Sequence, residues 1–466
     1  MSHSNIDKGI KALKTELPAQ SWTQDPDIIA PHLTEWRDKY FGQTPIMLTP
    51  RSTDEVVSMV NICREHSLKI VPQGGNTGLV GGQTPQGEVL LSLKKMTAIR
   101  NANATTNALT IEAGATLAAV HEAASAINRK FPLTLSSQGS CTVGGILSTN
   151  AGGNHVVKYG TTKELVFGVE AVLADGSIWN GLTSLRKDNR GYDLNRLFMG
   201  AEGTLGIITA ASLKLFPVPN HVQRVIVGLE NPAAAVQLLE HCRHANALAM
   251  FEVMPAIGYR AVVDNFEAIK DPFAQPHPWY ALIDWDVESE RHGLDLAESK
   301  LSAALASGLI HDAVIAQSGA QAARILSIRE HMSAGQKFLG GSIKQDITIP
   351  ISDIPAFFKT ADAAMQKLIP NCRPVGFGHF GDGNIHYNIA QPEAMEREAF
   401  LAQWERVSET VFDIVDSLNG SISAEHGIGI MKRDTLAARY PAKVTVMRAI
   451  KDALDPENMM NPRCLI

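Results

Sequence analysis

The sequence has few cysteines, and they are not grouped. Its 466 residues include only five, Cys63, Cys141, Cys242, Cys372 and Cys464, and no pair has the C-x-x-C spacing. This scatter argues against an iron–sulfur cluster, a cysteine zinc knuckle and a disulfide framework. We therefore expect a reducing, cytoplasmic type of compartment.

The sequence also lacks long runs of one charge and long apolar runs. Its formal net charge is −6, with no long run of one sign, whereas a nucleic-acid-binding chain would cluster lysine and arginine. No apolar stretch approaches the roughly 20 residues of a membrane span. We therefore expect no nucleic-acid partner and no transmembrane segment. Residues 1–18 have helical apolar spacing, which predicts an amphipathic helix and not a secretory signal.

The length and the local patterns predict several domains. A chain of 466 residues is too long for one hydrophobic core and suggests two or three domains. Up to about residue 220, the predicted strands and helices are joined by loops rich in glycine, asparagine and small residues. Beyond that point, helices and strands alternate in a way that predicts an antiparallel sheet with helices on one face.

Three glycine-rich loops stand out in the first half of the chain. They are "PQGGNTG" (72–78), "SSQGSCTVGGILSTNAGG" (136–153) and "GAEGTLG" (200–206). Glycine lets the backbone approach a phosphate and turn its amides toward it. One such loop is more often only a tight turn, and none has the G-x-G-x-x-G or Walker pattern. Three together indicate a long, phosphate-bearing ligand such as a dinucleotide.

A second group of residues can bind a metal or carry a proton. "GHFGDGNIHYN" contains His379 and His386 in an irregular, glycine-punctuated segment, and "SAEHGIG" contains Glu425 and His426. Two histidines and a carboxylate with an open position form the ligand set of a catalytic zinc-type site. The adjacent His426 could then be a base. A metal-dependent hydrolase without a flavin would use the same residues, so this alternative is open at this point.

A third group could bind an anion. Arg329 and Ser333 are four residues apart and share one face if that segment is helical, and Lys344 is expected on the strand that follows. Such residues are usually solvated. Arginine, however, is suited to recognising a carboxylate through two hydrogen bonds.

The loops and the histidine motifs together resemble a known family. They are similar to the FAD-binding oxidoreductases of the vanillyl-alcohol-oxidase type, and within these to the FAD-dependent D-2-hydroxyacid dehydrogenases that act on D-2-hydroxyglutarate, D-lactate or glycolate. "LADG", "SLRKDNRGYDL" and the near-terminal "NP" also match. The "RKDN" before "GYDL" resembles the hydroxyglutarate branch more than the lactate branch.

This resemblance implies a flavin site. The first loop has no histidine that could bond to the flavin, so the resemblance implies tight, non-covalent FAD. The residues implied to hold it are Gly74, Gly75, Asn76, Thr77, Gly78, Gly139, Ser140, Gly144, Gly145, Asn150, Ala151, Gly203, Ile207 and Asn461.

The resemblance also assigns the polar residues. It implies that His379, His386 and Glu425 bind a divalent metal, for which zinc is the first choice although manganese and cobalt accept the same ligands. His426 matches the catalytic base, and Asn388 matches a substrate contact.

The anion-binding group has a role in the same family. Arg329, Ser333 and Lys344 match positions that hold the substrate's distal carboxylate, and the family often has threonine where this chain has Ser333. The implied reaction is oxidation of a D-2-hydroxy acid, foremost D-2-hydroxyglutarate, by hydride transfer to flavin N5. D-lactate or a broad range of D-2-hydroxy acids is the alternative substrate. A flavin-binding protein without activity is disfavoured, because the motif residues needed for the reaction are all present.

The resemblance also implies an α+β architecture. It places an N-terminal helical segment at 1–37, a two-subdomain FAD-binding domain of the PCMH type at 38–220, a substrate or cap domain with an antiparallel sheet at 221–418, and a segment returning to the flavin at 419–466. The implied electron acceptor is an electron-transfer flavoprotein or a quinone. The sequence leaves open whether the chain forms a homodimer.

Overall fold

The fold was analysed in a computed structural model, which describes residues 3–243 and 246–466. The chain forms two compact units. The first comprises the chain up to Gly152 together with Thr161–Val218 and Glu425–Ile466. The second comprises Gly153–Gly160 and Pro219–Ala424. The short segment Gly153–Gly160 thus belongs to the second unit.

The first unit contains a mixed sheet and an antiparallel sheet. The mixed sheet has the order β1-β2-β4-β3, the antiparallel sheet has the order β5-β6-β10-β8-β9, and β7 pairs with β11. The strands are β1 (Trp22–Thr23), β2 (Met47–Leu48), β3 (Ile70–Gln73), β4 (Val89–Ser92), β5 (Ile99–Asn103), β6 (Ala108–Glu112), β7 (Arg129–Lys130), β8 (Val166–Val172), β9 (Ile178–Asn180), β10 (Ile207–Lys214) and β11 (Phe216–Pro217).

The second unit contains two further sheets. One is antiparallel with the order β13-β14-β12-β15, and in the other the strand β19 pairs with β16, β17 and β18. The strands are β12 (His221–Leu229), β13 (Leu248–Pro255), β14 (Trp279–Val287), β15 (Asp312–Ile315), β16 (Ser342–Ile343), β17 (Asp346–Thr348), β18 (Arg373–Phe377) and β19 (Asn384–Ala390).

The helices lie before, between and after these strands in the chain. In chain order they are α1 (His3–Glu16), α2 (Pro26–Ile29), α3 (Thr53–Glu65), α4 (Leu117–Ala126), α5 (Val143–Thr149), α6 (Val156–Tyr159), α7 (Asn195–Phe198), α8 (Pro232–Cys242), α9 (Ala256–Val263), α10 (Glu290–Ala306), α11 (Gly319–Glu330), α12 (Met332–Gly335), α13 (Ile354–Leu368), α14 (Arg397–Leu401), α15 (Trp404–Ser417), α16 (Arg433–Arg439) and α17 (Pro441–Leu454). Over the described part of the chain, no helix has both the length and the apolar character to cross a membrane.

Local sequence signals explain where these helices begin. The side chain of Ser52 accepts a hydrogen bond from the Glu55 amide, and Thr116 accepts one from the Ala119 amide. Both α3 and α4 therefore start at serine or threonine, residues that are preferred as N-caps. Helix α1 buries Ile10 and Leu13, as its apolar spacing predicts.

A buried carboxylate joins helix α3 to the antiparallel sheet of the first unit. Glu170 on β8 accepts hydrogen bonds from Thr53 at 2.6 Å and Thr209 at 2.8 Å, and it pairs with Arg100 at 3.0 Å. Burial opposes the charged form of Glu170, but these donors and Arg100 lower its pKa overall. The network links α3 to the antiparallel sheet and so fixes the frame that carries the glycine-rich loops.

A backbone bridge joins the two sheets of the second unit. The amide of Val253 on β13 donates to the carbonyl of Gly378 at 2.9 Å, and the Gly378 amide donates back at 3.0 Å. Gly378 has a φ of +150°, and a Cβ there would lie 2.7 Å from the Asn384 carbonyl oxygen. Only glycine therefore fits at this crossing. Glu252 precedes Val253 in the sequence, and His379 follows Gly378. The bridge therefore places Glu252 beside His379.

Candidate active site

The first two glycine-rich loops pack backbone against backbone in the first unit. A Cβ on Gly74 would lie 2.1 Å from the Thr142 Oγ1, and a Cβ on Gly75 would lie 2.0 Å from the Ser140 carbonyl oxygen. Side chains at either glycine would separate the loops. By contrast, nothing lies within 4 Å of a Cβ built on Gly139, so the second loop is open on that side.

These loops contain buried polar atoms without a protein partner. The Thr142 Oγ1 and the Asn76 Oδ1 are buried, and no described residue is their hydrogen-bond partner. An unsatisfied buried polar group costs about 1–3 kcal/mol, and such groups are normally paired with a ligand or water when protein offers nothing. The Thr142 hydroxyl can donate to a phosphate oxygen, and the Asn76 Oδ1 can accept from an N–H or a hydroxyl group. With the close-packed glycines, these atoms fit a polar, phosphate-bearing cofactor such as FAD.

The rest of the second loop is shaped by α5. Gly144 packs on β6, where a Cβ would lie 2.9 Å from the Ala113 Cβ. Helix α5 ends at Asn150, which has a φ of 51° and accepts hydrogen bonds from the Thr161 hydroxyl and the Lys163 amide. The left-handed conformation of Asn150 turns the chain near the end of the second glycine-rich loop. Gly145 lies within α5, and the buried Ala151 follows the cap.

The remaining residues expected to hold the flavin occupy the edges of the same unit. Gly203 has a φ of +74° and contacts Pro72, and Ile207 is buried at the start of β10. Thr77 and Gly78 are half-buried in the first loop. Asn461 is buried, and its amide donates to the carbonyl oxygens of Gly82 and Glu202. Asn461 thus ties two loops together.

A buried glutamate, which the sequence analysis overlooked, positions the "HGIG" segment. Glu202 accepts hydrogen bonds from the amides of Ile428 at 2.7 Å and Gly429 at 2.8 Å, and from the Cys464 thiol at 3.1 Å. Burial raises the pKa of Glu202, and the two amides and the thiol act against that rise. A Cβ on Gly427 would lie 2.7 Å from this carboxylate. Glu202 therefore fixes the loop that carries His426.

Glu425 begins the C-terminal part of the first unit. Its Oε1 lies 2.7 Å from the position a Cβ would take on Gly152, the last residue of the second loop in this unit. A larger residue at 152 would displace the carboxylate. Glu425 and His426 are both half-buried in an irregular segment, as the small residues around them predict.

In the second unit, His379 and His386 belong to a β-hairpin, so the expectation of an irregular segment is wrong for half of it. His379 follows β18, whereas His386 lies within β19 and pairs with Phe377 on one side and Asp346 on the other. The two imidazole centroids are 5.4 Å apart. The polar positions in "NIHYN" alternate with buried Ile385 and Tyr387, because successive side chains of a strand point to opposite faces.

The carboxylate of Glu252 binds two residues of this region at once. Its Oε2 accepts a hydrogen bond from the Arg329 Nε at 2.6 Å, and its Oε1 contacts the His379 Nδ1. Glu252 has no exposed side-chain surface. Burial alone would raise its pKa, but the charges of Arg329 and His379 outweigh burial and lower that pKa to about 2. Glu252 belongs to none of the sequence motifs and was not among the predicted site residues.

The Arg329 side chain is buried against an aromatic ring, and its Nε edge is hydrogen-bonded to Glu252. Its guanidinium carbon lies 5.0 Å from the centroid of Phe377. Through Nε the side chain is fixed to Glu252, and within the described residues no hydrogen bond joins its two terminal nitrogens to protein. These two nitrogens form the fork that recognises a carboxylate.

The other residues expected to bind substrate are placed differently. Asn388 is buried on the same face of β19 as His386 and donates to the Gln336 Oε1 at 2.9 Å. Arg329 and Ser333 do not share one continuous helix, because α11 ends at Glu330 and α12 begins at Met332. Ser333 is exposed. Lys344 is half-buried between β16 and β17 and not on a strand, which corrects that expectation.

The histidines are suited to binding a divalent metal. The contact between Glu252 and the His379 Nδ1 leaves Nε2 as the nitrogen that would ligate, as in carboxylate–histidine–metal arrangements. The His386 Nδ1 lies 3.7 Å from the Asp346 Oδ1, so a carboxylate accompanies the second imidazole too. The donor set, imidazoles supported by carboxylates, fits a zinc-type ion.

Comparison with known proteins identifies the family. The model "FAD linked oxidases, C-terminal domain" matches residues 218–465, more than half of the chain, and the model "FAD binding domain" matches residues 44–181. The chain belongs to the FAD-linked oxidases. It is therefore an FAD-dependent oxidoreductase, and the flavin-free hydrolase considered from sequence is no longer an alternative.

Several relatives match along almost the whole chain. A mitochondrial D-2-hydroxyglutarate dehydrogenase of Arabidopsis thaliana is 33% identical over 98% of this chain and 82% of its own length. A D-2-hydroxyglutarate dehydrogenase of Xanthomonas citri is 32% identical over 98% of this chain and 96% of its own. A D-2-hydroxyglutarate–pyruvate transhydrogenase of Saccharomyces cerevisiae is 33% identical over 94% of this chain and 90% of its own. The expected family resemblance is thereby confirmed.

Solved structures confirm the expected α+β fold class. A p-cresol methylhydroxylase aligns over 100% of this chain and 98% of its own with a TM-score of 0.79 at 17% identity. An alkyldihydroxyacetonephosphate synthase aligns over 98% of this chain and 84% of its own with a TM-score of 0.75 at 18% identity. At such identities the likeness concerns the fold alone.

The unpartnered hydroxyl of Thr142 gives a direct test of the flavin site. We expect Thr142→Val to weaken FAD binding about two- to tenfold, the range of one lost hydrogen bond. Titration of apoprotein with FAD, followed by quenching of flavin fluorescence, measures this. Thr110→Val is the matched control, since that hydroxyl pairs with Ser212 in the antiparallel sheet. Equal affinities of wild type and Thr142→Val would remove Thr142 from the flavin site.

Proposed function

We propose that this chain oxidises D-2-hydroxyglutarate to the corresponding 2-oxo acid, with non-covalently bound FAD as the first electron acceptor. The observation that carries the proposal is the buried Arg329, held through Nε by Glu252, with both terminal nitrogens available for a carboxylate. D-lactate has no second carboxylate and would leave this arginine unpaired, which lowers affinity. The names of the Arabidopsis and Xanthomonas relatives support the same substrate.

Two groups would supply chemistry that side chains lack. We infer that the glycine-rich loops hold FAD and that His379, His386 and Glu425 hold a divalent cation, with zinc as the first choice. When bound, FAD supplies a hydride acceptor and the cation supplies a Lewis acid for the substrate hydroxyl.

The remaining steps belong to the chain's own residues. Arg329, with Ser333 and Lys344, binds the distal carboxylate, and Asn388 contacts the other end of the substrate. His426 removes the proton of the C2 hydroxyl, so that the C2 hydrogen can leave with its electron pair. Glu202 supports this role because it fixes the backbone of the loop that carries His426. Fixed positions matter here because misplacement of a reacting group slows a reaction steeply.

The second half-reaction needs another electron acceptor. We propose an electron-transfer flavoprotein or a quinone, in a reducing compartment. All five cysteines are buried free thiols, which supports such a compartment. The Saccharomyces relative is named a transhydrogenase that uses pyruvate. If pyruvate reoxidises the reduced flavin, pyruvate is the acceptor and our proposal of an electron-transfer flavoprotein or a quinone is wrong.

Removal of His426 tests the proton-transfer role. We expect His426→Ala to lower kcat by about 100-fold or more, the usual contribution of a positioned base, while FAD content and zinc content stay at wild-type levels. Steady-state turnover with an artificial acceptor measures kcat. His292→Ala, at an exposed position on α10, is the control. A near-normal kcat for His426→Ala would refute the assignment of the base.

Removal of Arg329 tests the substrate. We expect Arg329→Met to raise the KM for D-2-hydroxyglutarate by at least about 100-fold, because a buried charged partner of the carboxylate is lost. The KM for D-lactate should change far less. Arg324→Met, at an exposed position of the same helix, is the control. Equal losses on both substrates would exclude a role for Arg329 in recognising the second carboxylate.

A further inference from the structure

The strongest unassigned feature of the second unit is the fully buried carboxylate of Glu252. It lies in the middle of β13 on the face that packs into the hydrophobic core, beside Met250 and Met254. A charged group in such surroundings is retained only with compensating partners. Both of its oxygens are used, one by Arg329 and one by His379.

The fold dictates this pairing. The backbone bridge between Val253 and Gly378 sets Glu252 and His379 side by side. Arg329 approaches from the last turn of α11, and its guanidinium stacks on Phe377, which also pairs with His386. Three separate elements therefore meet at one carboxylate.

We propose that Glu252 is a positioning residue that couples the metal ligand His379 to the substrate anchor Arg329. Through its Oε1 it fixes the ring and tautomer of His379, and so presents Nε2 to the cation. Through its Oε2 it occupies the Nε edge of Arg329, and so presents the opposite fork to a carboxylate. This inference rests on the proposed function and adds that one carboxylate serves both binding events.

The same sheet offers a matched control. Arg224 and Asp284 form a second buried ion pair, with bonds of 2.7 and 2.6 Å, on the same face and beside the same helix α11. The side chains of Arg224 and Asp284 are 12% and 2% exposed, against 11% and 0% for Arg329 and Glu252. Asp284→Asn therefore breaks an equally buried pair without contact to either binding residue.

The first measurement concerns the metal. Glu252→Gln keeps the size of the side chain and removes its charge. Zinc retained per chain is measured after dialysis against increasing chelator. We expect the zinc affinity of Glu252→Gln to fall about 10- to 100-fold, the usual effect of losing a carboxylate behind a ligating histidine. Asp284→Asn should retain zinc like wild type. Equal retention in all three proteins would overturn the coupling.

The second measurement concerns the substrate and is made at saturating zinc. We expect Glu252→Gln to raise the KM for D-2-hydroxyglutarate about tenfold or more relative to that for D-lactate, because Arg329 loses its orientation. Asp284→Asn should leave this ratio unchanged. A purely structural role would move both substrates together in both variants, and that result would contradict the inference.

A double variant keeps the test decisive if Glu252→Gln folds poorly. Arg329→Met with Glu252→Gln removes both halves of the ion pair, which proteins tolerate better than the loss of one half. Its selectivity between the substrates should equal that of Arg329→Met alone, since Glu252 acts on the substrate through Arg329. Its zinc retention should still be lower than that of Arg329→Met. Unchanged zinc retention would overturn the inference.

Different results would contradict the proposed function and the coupling by Glu252. Wild-type protein that binds no zinc, or does not oxidise D-2-hydroxyglutarate, contradicts the proposed function and the coupling with it. Wild-type protein that does both, beside a Glu252→Gln variant that behaves like Asp284→Asn, contradicts the coupling alone.

Discussion

The second unit is organised around a negative charge in its core. Glu252 is fully buried, and removing one partner of such an ion pair typically costs about 3–5 kcal/mol. The partners of this charge come from separate elements. Glu252 on β13 is bound by His379 from the hairpin and by Arg329 from the end of α11, so the positions of all three elements depend on this pairing. Replacing the group with an apolar residue would be simpler for stability alone, so a buried charge at this position is better explained by what it orients.

The first unit is organised differently, around its glycine-rich loops and Glu202. Its glycine-rich loops approach each other too closely for side chains at Gly74 and Gly75. The Thr142 hydroxyl and the Asn76 carbonyl oxygen have no hydrogen-bond partner in the part of the chain that the structure describes. A loop built only for stability would satisfy those atoms. Glu202 meanwhile uses its carboxylate on backbone amides and so fixes the "HGIG" segment. Here protein groups hold the backbone, and the two polar atoms fit the cofactor site that we propose.

Local signals made part of this architecture predictable. Helices α3 and α4 begin at capping residues that can be read directly, and the turn at Asp175 and Gly176 joins β8 to β9 as a hairpin. The glycine loops and the histidine motifs were recognisable because their spacing is unusual. The family, the fold class and the use of FAD followed from those motifs and agree with the comparisons.

Other features could not be read so easily. His386 was assigned to an irregular segment because the glycines before it masked the alternation of "NIHYN", which is the pattern of a strand. Lys344 was wrongly expected on a strand, and the break between α11 and α12 that separates Arg329 from Ser333 was not predicted. Short breaks between elements leave no strong sequence signal. Glu252 left a signal that went unused: one charged residue inside the apolar run "LAMFEVMP" must find partners if that strand is buried. Its partners lie 77 and 127 residues away, so only the fold reveals them.

The most direct test of the account is anaerobic reduction of the bound flavin. D-2-hydroxyglutarate, L-2-hydroxyglutarate and D-lactate are added in turn to the purified protein, with and without chelator, and the visible flavin absorbance is followed. The account predicts rapid bleaching by D-2-hydroxyglutarate, slow or no bleaching by the other two, and loss of the fast reaction on chelation. Faster bleaching by D-lactate, or bleaching that chelation does not affect, would contradict it.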